Sequence, residues 1–278
     1  MTPASRSGKT QRTAPARWVI GVGSGKGGVG KSTVSLNLAL ALAADGARVG
    51  LLDADLYGPD IPLMVGLTRS VWGEEWTMAR RAPNRGAALR EPIERHGLAI
   101  MSAGFLIAED QPLVLEAGAM RFLMTQMVWE VDWGQPDYLI IDLPPGTADI
   151  QQLLLKEVPF AGALLVVNPQ DVAHLDGKKA VQQYRRANVP LLGAVENMSG
   201  FLCPHCGVES PLFAPVSEAR SIWSMGVDRL GTTPVDPLIS QMGDGGLPLL
   251  LARPASVATT AFRDIARQVR ERLGERHT

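Results

Sequence analysis

Gly25-Lys26-Gly27-Gly28-Val29-Gly30-Lys31-Ser32-Thr33 is the stretch whose reading decides the fold. Upstream of it lies the apolar run Trp18, Val19, Ile20 and Val22. Downstream, Val34, Leu36, Leu38, Leu40 and Leu42 recur in an alanine-rich segment. Strand, glycine loop and helix in that order are the setting in which a phosphate-binding P-loop forms. The glycines let the backbone bend so that successive N–H groups converge on phosphate oxygens. The start of the helix adds the positive end of its dipole. Lys31 is expected along the β- and γ-phosphates of ATP, and the Ser32 hydroxyl on Mg²⁺. A chance glycine turn would have to account for four fixed positions and both flanks at once.

Lys26 adds a second lysine just after the first glycine. Read plainly, it is a solvated loop residue. Read with the whole string GKGGVGKST, it is the signature lysine of the deviant P-loop, which reaches the phosphates held by a facing subunit through a charge-assisted hydrogen bond. The second reading predicts a homodimer.

Working outward, 278 residues can bury one large core or two small ones. A 46% hydrophobic, 20% charged composition is that of an ordinary globular chain. The net charge of −1 offers no general field for nucleic acid or an acidic membrane. No apolar run reaches spanning length and no signal-peptide stretch opens the chain, so a cytoplasmic protein is expected. Residues 1–16 carry Arg6, Lys9 and Arg12 among Ser, Thr, Pro and Gly, and read as a disordered basic tail. Residues 17–278 are expected to form one ATPase domain.

Ala47 to Leu52 reads as a buried parallel strand that delivers Asp53-Ala54-Asp55 to its C-terminal end, the ligand edge of an open α/β sheet. Both acids are candidates for holding a metal-bound water and orienting the attacking one. The turn-rich Leu56 to Pro62 follows as a switch-like loop. Residues 66–97, with Trp72 and Trp76, suggest an irregular insertion or short hairpin, with His96 a surface residue. Residues 113–131 show helical spacing. Tyr138 to Asp142 is an apolar strand ending in an acid, the Walker B pattern, and Pro144-Pro145-Gly146-Thr147 after it could sense the γ-phosphate. Asp149 is a candidate cap for the helix that follows. Further strands are expected at 163–167 and 191–195, with a helix near 172–187 between them, His174 and Asp176 capping or solvated at its start. Asn197 then follows a strand at the ligand edge, where an amide can pair with adenine or simply close a turn. Gly231 to Pro237 reads as a loop over the base. Residues 255–273 read as an amphipathic helix docked on the sheet rather than lying on a membrane.

Cys203-Pro204-His205-Cys206 holds every cysteine in the chain. A tetrahedral zinc or an iron–sulfur cluster takes four protein ligands, and one chain supplies two. The pair is therefore half of a cluster or zinc site completed across a dimer, a redox couple, or a turn without chemistry. The facing-dimer symmetry expected from Lys26 would also bring four thiolates to a twofold axis.

Taken together, Ser24 to Thr33, Asp53-Ala54-Asp55-Leu56-Tyr57-Gly58-Pro59, Asp142-Leu143-Pro144-Pro145-Gly146-Thr147 and Glu196-Asn197-Met198-Ser199-Gly200-Phe201 leading into Cys203 and Cys206 resemble the Mrp/ApbC-type P-loop iron–sulfur cluster carriers. These are relatives of the MinD, ParA and nitrogenase iron-protein ATPases, and the resemblance spans about residues 17–273. It implies a SIMIBI-type, mostly parallel twisted sheet flanked by helices, and a weak ATP hydrolase. By the same resemblance Lys26 acts in trans, Lys31 binds phosphate and Ser32 ligates Mg²⁺. Asp55 positions the attacking water, Asp142 is the Walker B acid and Asn197 reads adenine. Cys203 and Cys206 share a [4Fe–4S] cluster with their dimer mates, for transfer to apo iron–sulfur clients. Asp60, where the family pattern has serine, and Glu116-Ala117-Gly118, where it has Arg-Gly-Pro, depart from the pattern. The competing expectations are a MinD/ParA-like positioning ATPase without a cluster and a reductase-type electron donor.

Overall fold

The inner strands of this chain are runs of Val, Ile and Leu buried on both faces, which is what a parallel sheet covered by helices requires. The computed structural model describes residues 13–67, 91–106, 116–146, 149–203 and 205–274. In chain order they form β1 (Trp18–Ser24), α1 (Lys31–Ala44), β2 (Val49–Asp53), α2 (Ile61–Met64), β3 (Ile93–Arg95) and β4 (Leu98–Ser102). Then come α3 (Ala117–Trp129), β5 (Tyr138–Asp142), α4 (Asp149–Glu157), β6 (Gly162–Val167) and α5 (Asp171–Arg186). The chain ends with β7 (Leu191–Leu202), β8 (Glu209–Ser210), β9 (Arg229–Val235), α6 (Pro237–Asp244), α7 (Leu249–Ala252) and α8 (Val257–Gly274).

The strands join in the order β3-β4-β2-β5-β1-β6-β7-β8, with β9 on β7. All pairs are parallel except β3–β4 and β7–β8. The register aligns Asp53 with Asp142 across β2 and β5, and Ser24 with Val166 across β1 and β6. The carboxyl ends of the central strands therefore meet along one edge beside the glycine loop.

α1 is buried nearly all round, from Val34 to Leu42, as expected of a helix enclosed in the core. One of its covers is α8, whose Phe262, Ile265, Ala266 and Val269 are buried and whose Arg270 pairs with Asp45 at 2.7 Å. The apolar face of α8 is thus spent on docking, as the sequence suggests. No helix among the described residues is long and apolar enough to cross a membrane.

Several expectations change. β7 does not end at Val195; it runs for 12 residues in all, to Leu202, because β9 runs beside it and β8 folds back on its far end. Asn197 therefore sits within a strand. Gly231 to Val235 belongs to β9 rather than to a loop, and only Asp236 and Pro237 begin the turn into α6. His96 and Gly97 both take positive φ (53° and 76°) in the two-residue turn between β3 and β4, the twist that such hairpins need. His96 also has a contact, its Nε2 lying 3.4 Å from the Gly246 carbonyl. The basic residues of the tail, Trp72, Trp76 and Thr147 lie outside the described residues, as does the start of the expected 113–131 helix.

Candidate functional site

The P-loop closes on a knot of hydrogen bonds centred on Asp142. Lys31 Nζ donates to Asp142 Oδ2 at 2.8 Å, and the Ser32 hydroxyl donates to the same oxygen at 2.7 Å. The Ser35 hydroxyl donates to Oδ1 at 2.6 Å. Ser35 was not singled out from sequence, although a polar residue one turn after Lys31, between the apolar Val34 and Leu36, is a usable signal. Burial by itself would pull the Lys31 ammonium down, but Asp142, then Asp55 and Asp53, outweigh it and hold its pKa above the ordinary lysine range.

The two acids after β2 do different things. Asp55 lies 3.7 Å from Lys31 Nζ and lines the P-loop cavity. Its Oδ1 accepts from the backbone N–H groups of Tyr57 and Gly58, both at 3.3 Å, so the following loop is tied to its carboxylate. Burial raises its pKa despite Lys31 and those donors. Asp53 does not face that cavity. It is fully buried and accepts from Ser102 Oγ at 2.9 Å and from the Asp55 N–H at 3.2 Å. Burial first, then the charge of Asp142, pushes its carboxyl well above the usual range. The expectation that both acids meet the metal-bound water is corrected for Asp53: Asp55 faces the P-loop cavity, while Asp53 is buried behind it and bonds Ser102 and the Asp55 N–H.

Asn197 is packed against the loop itself. Its Nδ2 donates to the Val29 carbonyl at 2.9 Å and its Oδ1 accepts from Thr233 Oγ1 at 2.5 Å. Gly30 has φ +84°, and a Cβ there would lie 2.0 Å from Asn197 Nδ2, so both conformation and space demand glycine. Beside this contact a cavity of about 450 Å³ is lined by Thr33, Asn197, Met198, Pro234, Asp236 and Pro237. It shares Thr33, Asp60, Met64 and Met198 with the P-loop cavity. A nucleoside has the size for such a space, and the segment expected as a loop over the base still supplies its wall.

Lys26 donates to Gln170 Oε1 at 3.3 Å, just before α5, and so is held at the rim. Sequence reasoning missed a second support. Gln151 on α4 is fully buried, and one amide orientation satisfies it throughout. Nε2 then donates to the Gly146 carbonyl and to that of Pro144 at 3.2 Å, while Oε1 accepts from Tyr184 Oη at 3.2 Å. The loop after Asp142 is thereby tied to α5. Burial drives the Tyr184 hydroxyl above its ordinary range. His174, expected as a cap, is instead fully buried, with Nδ1 accepting from the Ile222 N–H at 3.3 Å and Nε2 3.7 Å from Glu196. Asp149 opens α4 as an acid in its first turn, where the helix dipole favours it.

The cysteines sit on a turn beyond β7. Cys203 N–H donates to the Val208 carbonyl at 3.0 Å, and Gly207 N–H, from a residue with φ +70°, donates to the Cys203 carbonyl at 2.9 Å. Cys203 is half-buried and Cys206 exposed; both are free thiols. The backbone N–H groups of Cys206 and His205 and the Cys206 thiol lower the Cys203 pKa, favouring the thiolate that binds soft metal. No group of three or more His, Cys, Asp or Glu is arranged to hold a metal among the described residues. The donor set fits half of a four-thiolate site.

A family described as NUBPL iron-transfer P-loop NTPase, of the ParA type, matches residues 16–270. An iron-sulfur cluster carrier protein from Aquifex aeolicus is 40% identical over 260 residues, covering 93% of this chain and 69% of its own. The iron-sulfur cluster transfer protein NUBPL of Mus musculus is 41% identical over 259 residues, covering 92% and 78%. Among solved structures, a nucleotide-binding protein in complex with ADP from Archaeoglobus fulgidus superposes with TM-score 0.66 at 31% identity, covering 84% of this chain and 87% of that one. The cell division ATPase MinD of Pyrococcus furiosus shares the fold at TM-score 0.66 and 22% identity, over 91% and 98% of the two chains.

Proposed function

The chain belongs to the NUBPL iron-transfer P-loop NTPases, and from that premise we propose that it is an ATP-dependent carrier of iron–sulfur clusters that works as a homodimer. The observation that carries this reading is the layout of β7. Asn197 holds the P-loop through Val29, and six residues further along the same strand's path Cys203 opens the thiol turn. At about 3.3 Å per residue that is roughly 20 Å of nearly continuous strand between nucleotide and thiols. The cargo is a [4Fe–4S] cluster. Each subunit supplies two thiolates, so a twofold axis past the turns is needed to complete it, and apo iron–sulfur proteins are the acceptors.

The nucleotide chemistry follows from the site. Backbone N–H groups of Gly27 to Ser32, with Lys31, bind the phosphates, and Lys26 leaves Gln170 to reach the partner subunit's nucleotide. Ser32 and Asp142 would hold Mg²⁺, which would supply charge neutralisation where Asp55 and Asp142 flank one ammonium. Asp55 orients the attacking water, and release of Tyr57 and Gly58 from its carboxylate passes the nucleotide state to the neighbouring loop. With few groups devoted to the chemical step, slow hydrolysis is expected. Against the positioning-ATPase alternative, α8 buries its apolar residues on the domain and leaves no apolar face of its own for a membrane surface. No feature of the site favours electron donation.

Anaerobic reconstitution with iron and sulfide tests the reading. About four irons and four sulfides per dimer are expected, with a brown chromophore abolished by Cys203→Ala and retained by Lys31→Ala. A colourless protein, or a cluster carried by a monomer, would refute it.

A further inference from the structure

The two lysines of the P-loop rest on different kinds of partner. Lys31 donates to the Asp142 carboxylate. Lys26 donates to a neutral amide, the Oε1 of Gln170, at 3.3 Å. That oxygen accepts a second bond, from Asn168 Nδ2 at 3.2 Å. Asn168 is 5% exposed and lies just past the C-terminal end of β6. One donor to the amide oxygen is therefore fixed in the interior, while the other, Lys26, is half-buried at the rim.

Backbone bonds hold both ends of this contact. The Gln170 N–H donates to the Asn168 carbonyl at 2.7 Å, and the Gln170 carbonyl accepts from the N–H groups of Ala173 and His174 at 3.0 and 3.1 Å. Across from it, the Ser24 hydroxyl donates to the Lys26 carbonyl at 2.9 Å, and the Ser24 carbonyl accepts from the Gly146 N–H at 3.0 Å. Gly25 lies so close to α5 that a Cβ there would stand 2.2 Å from the Asp176 backbone. What remains free to move is the four-carbon stem of the lysine.

On the homodimer reading, we propose that Gln170 is a latch that keeps Lys26 folded back on its own subunit until a facing subunit offers a triphosphate in exchange. An amide suits that exchange. It meets the ammonium with a partial charge, whereas phosphate oxygens meet it with full charge and stronger bonds. A carboxylate at position 170 would hold the lysine against transfer. A hydrogen bond at the weak end of the usual range leaves the latch closed in about two-thirds of subunits. Pairing needs both subunits open, so the latch weakens the apparent dimer affinity about tenfold.

Two measurements on the full chain test this. In the first, dilute ADP-saturated protein is acylated with the N-hydroxysuccinimide ester of acetic acid, and modification at Lys26 is followed by mass spectrometry. Gln170→Met removes the acceptor at similar side-chain length, and Lys26 should then react about threefold faster than in the wild type. Gln170→Glu supplies a carboxylate, and Lys26 should react more slowly. In the second, sedimentation measures the dimer formed with adenylyl imidodiphosphate and Mg²⁺. Gln170→Met should tighten that dimer about tenfold, and Gln170→Glu should loosen it. A purely structural glutamine would lower the melting temperature and weaken the dimer in both variants, and that result overturns the proposal. So does a Lys26 acylation rate equal in the wild type and Gln170→Met. A wild type that stays monomeric with the triphosphate analogue refutes the homodimer reading itself. A wild-type dimer whose strength Gln170→Met leaves unchanged refutes the latch alone. Cluster binding enters neither measurement.

Discussion

Replacing Asn197 by alanine separates two roles for this side chain. The amide donates to Val29 at 2.9 Å and accepts from Thr233 at 2.5 Å, with Asn197 4% and Thr233 0% exposed. Each bond contributes about 0.5–1.5 kcal/mol, and an orphaned Thr233 hydroxyl adds about 1–3 kcal/mol. The loss falls on the conformation of the P-loop, so only part of it appears as nucleotide affinity. If about half of a total near 3 kcal/mol does, the dissociation constant rises about tenfold. Because the effect acts through Val29, it should be equal for ADP, GDP and inorganic tripolyphosphate. Calorimetric titration of all three against Asn197→Ala and the wild type makes the comparison, with thermal melts confirming that the variant is folded. Thr233→Val should move all three in the same direction by less. Were Asn197 chiefly a reader of adenine, tripolyphosphate would bind unchanged while the preference for ADP over GDP disappeared. That outcome would refute the clamp argument.

Gly30→Ala should abolish ADP binding, since it adds the left-handed penalty of about 1–2 kcal/mol to a contact at 2.0 Å from Asn197 Nδ2; near-normal titration would contradict the geometry. Gln151→Leu strands the Tyr184 hydroxyl and the Pro144 carbonyl, at about 1–3 kcal/mol each, so the melting temperature should fall and ATP turnover slow. Adding Tyr184→Phe should recover part of the stability, and a further loss would count against the link. Asp53 holds its proton more tightly folded than unfolded, because of burial first and Asp142 second. The folded state therefore binds more protons, and stability falls as pH rises from the ordinary aspartate value of 3.8. Asp53→Asn should flatten that decline in urea unfolding followed from about pH 4 to 7, and an unchanged slope would show that Asp53 is not its source.

Much of this was legible in the chain because the motifs act locally. A strand, a glycine loop and a helix start must be contiguous to bind phosphate, so the string from Gly25 to Thr33 announces its own setting. The apolar strands ending in Asp53, Asp55 and Asp142 are legible for the same reason. What stayed hidden depends on pairing between distant segments. The apolar run from Leu191 to Val195 cannot reveal how long its strand continues when the extension is set by neighbours, and residues 196–202 of β7 are strand because β8 and β9 sit beside them. Asn197 was misplaced accordingly. Asp53 and Asp55 have the same chemistry two residues apart, and what distinguishes them is reach: Ser102 of β4 bonds Asp53, while Lys31 of α1 pairs with Asp55. Gln151 and Tyr184 are 33 positions apart on amphipathic helices, and nothing in either helix alone says that they meet.

The remaining question is how a strand can serve both a nucleotide and a thiol turn, and its local geometry bears on that. From Ala194 to Glu196, β7 is paired with both β6 and β9, and Asn197 keeps its β9 partner Thr233. From Phe201 it is paired again, with Ser210 on one side and Val235 on the other. Between them the β9 register slips, and Met198 takes φ +60°, a conformation that a residue with a long side chain adopts only against a local cost. Ser199 bridges the gap, its hydroxyl 3.3 Å from the Thr233 carbonyl and 3.4 Å from Glu209. Thr233 is also the residue that bonds Asn197. The short stretch 198–200 is therefore an interior part of β7 with no ladder partner on β9, between the paired Asn197 and Phe201. Met198 within it walls both the P-loop cavity and its neighbour. A strand paired without interruption would transmit nothing but its own rigidity. One that is clamped at Val29, released for three residues and clamped again before Cys203 can turn its far end when the near end shifts. Under the carrier reading, that is the physical requirement for nucleotide state to alter how the thiols meet their partners.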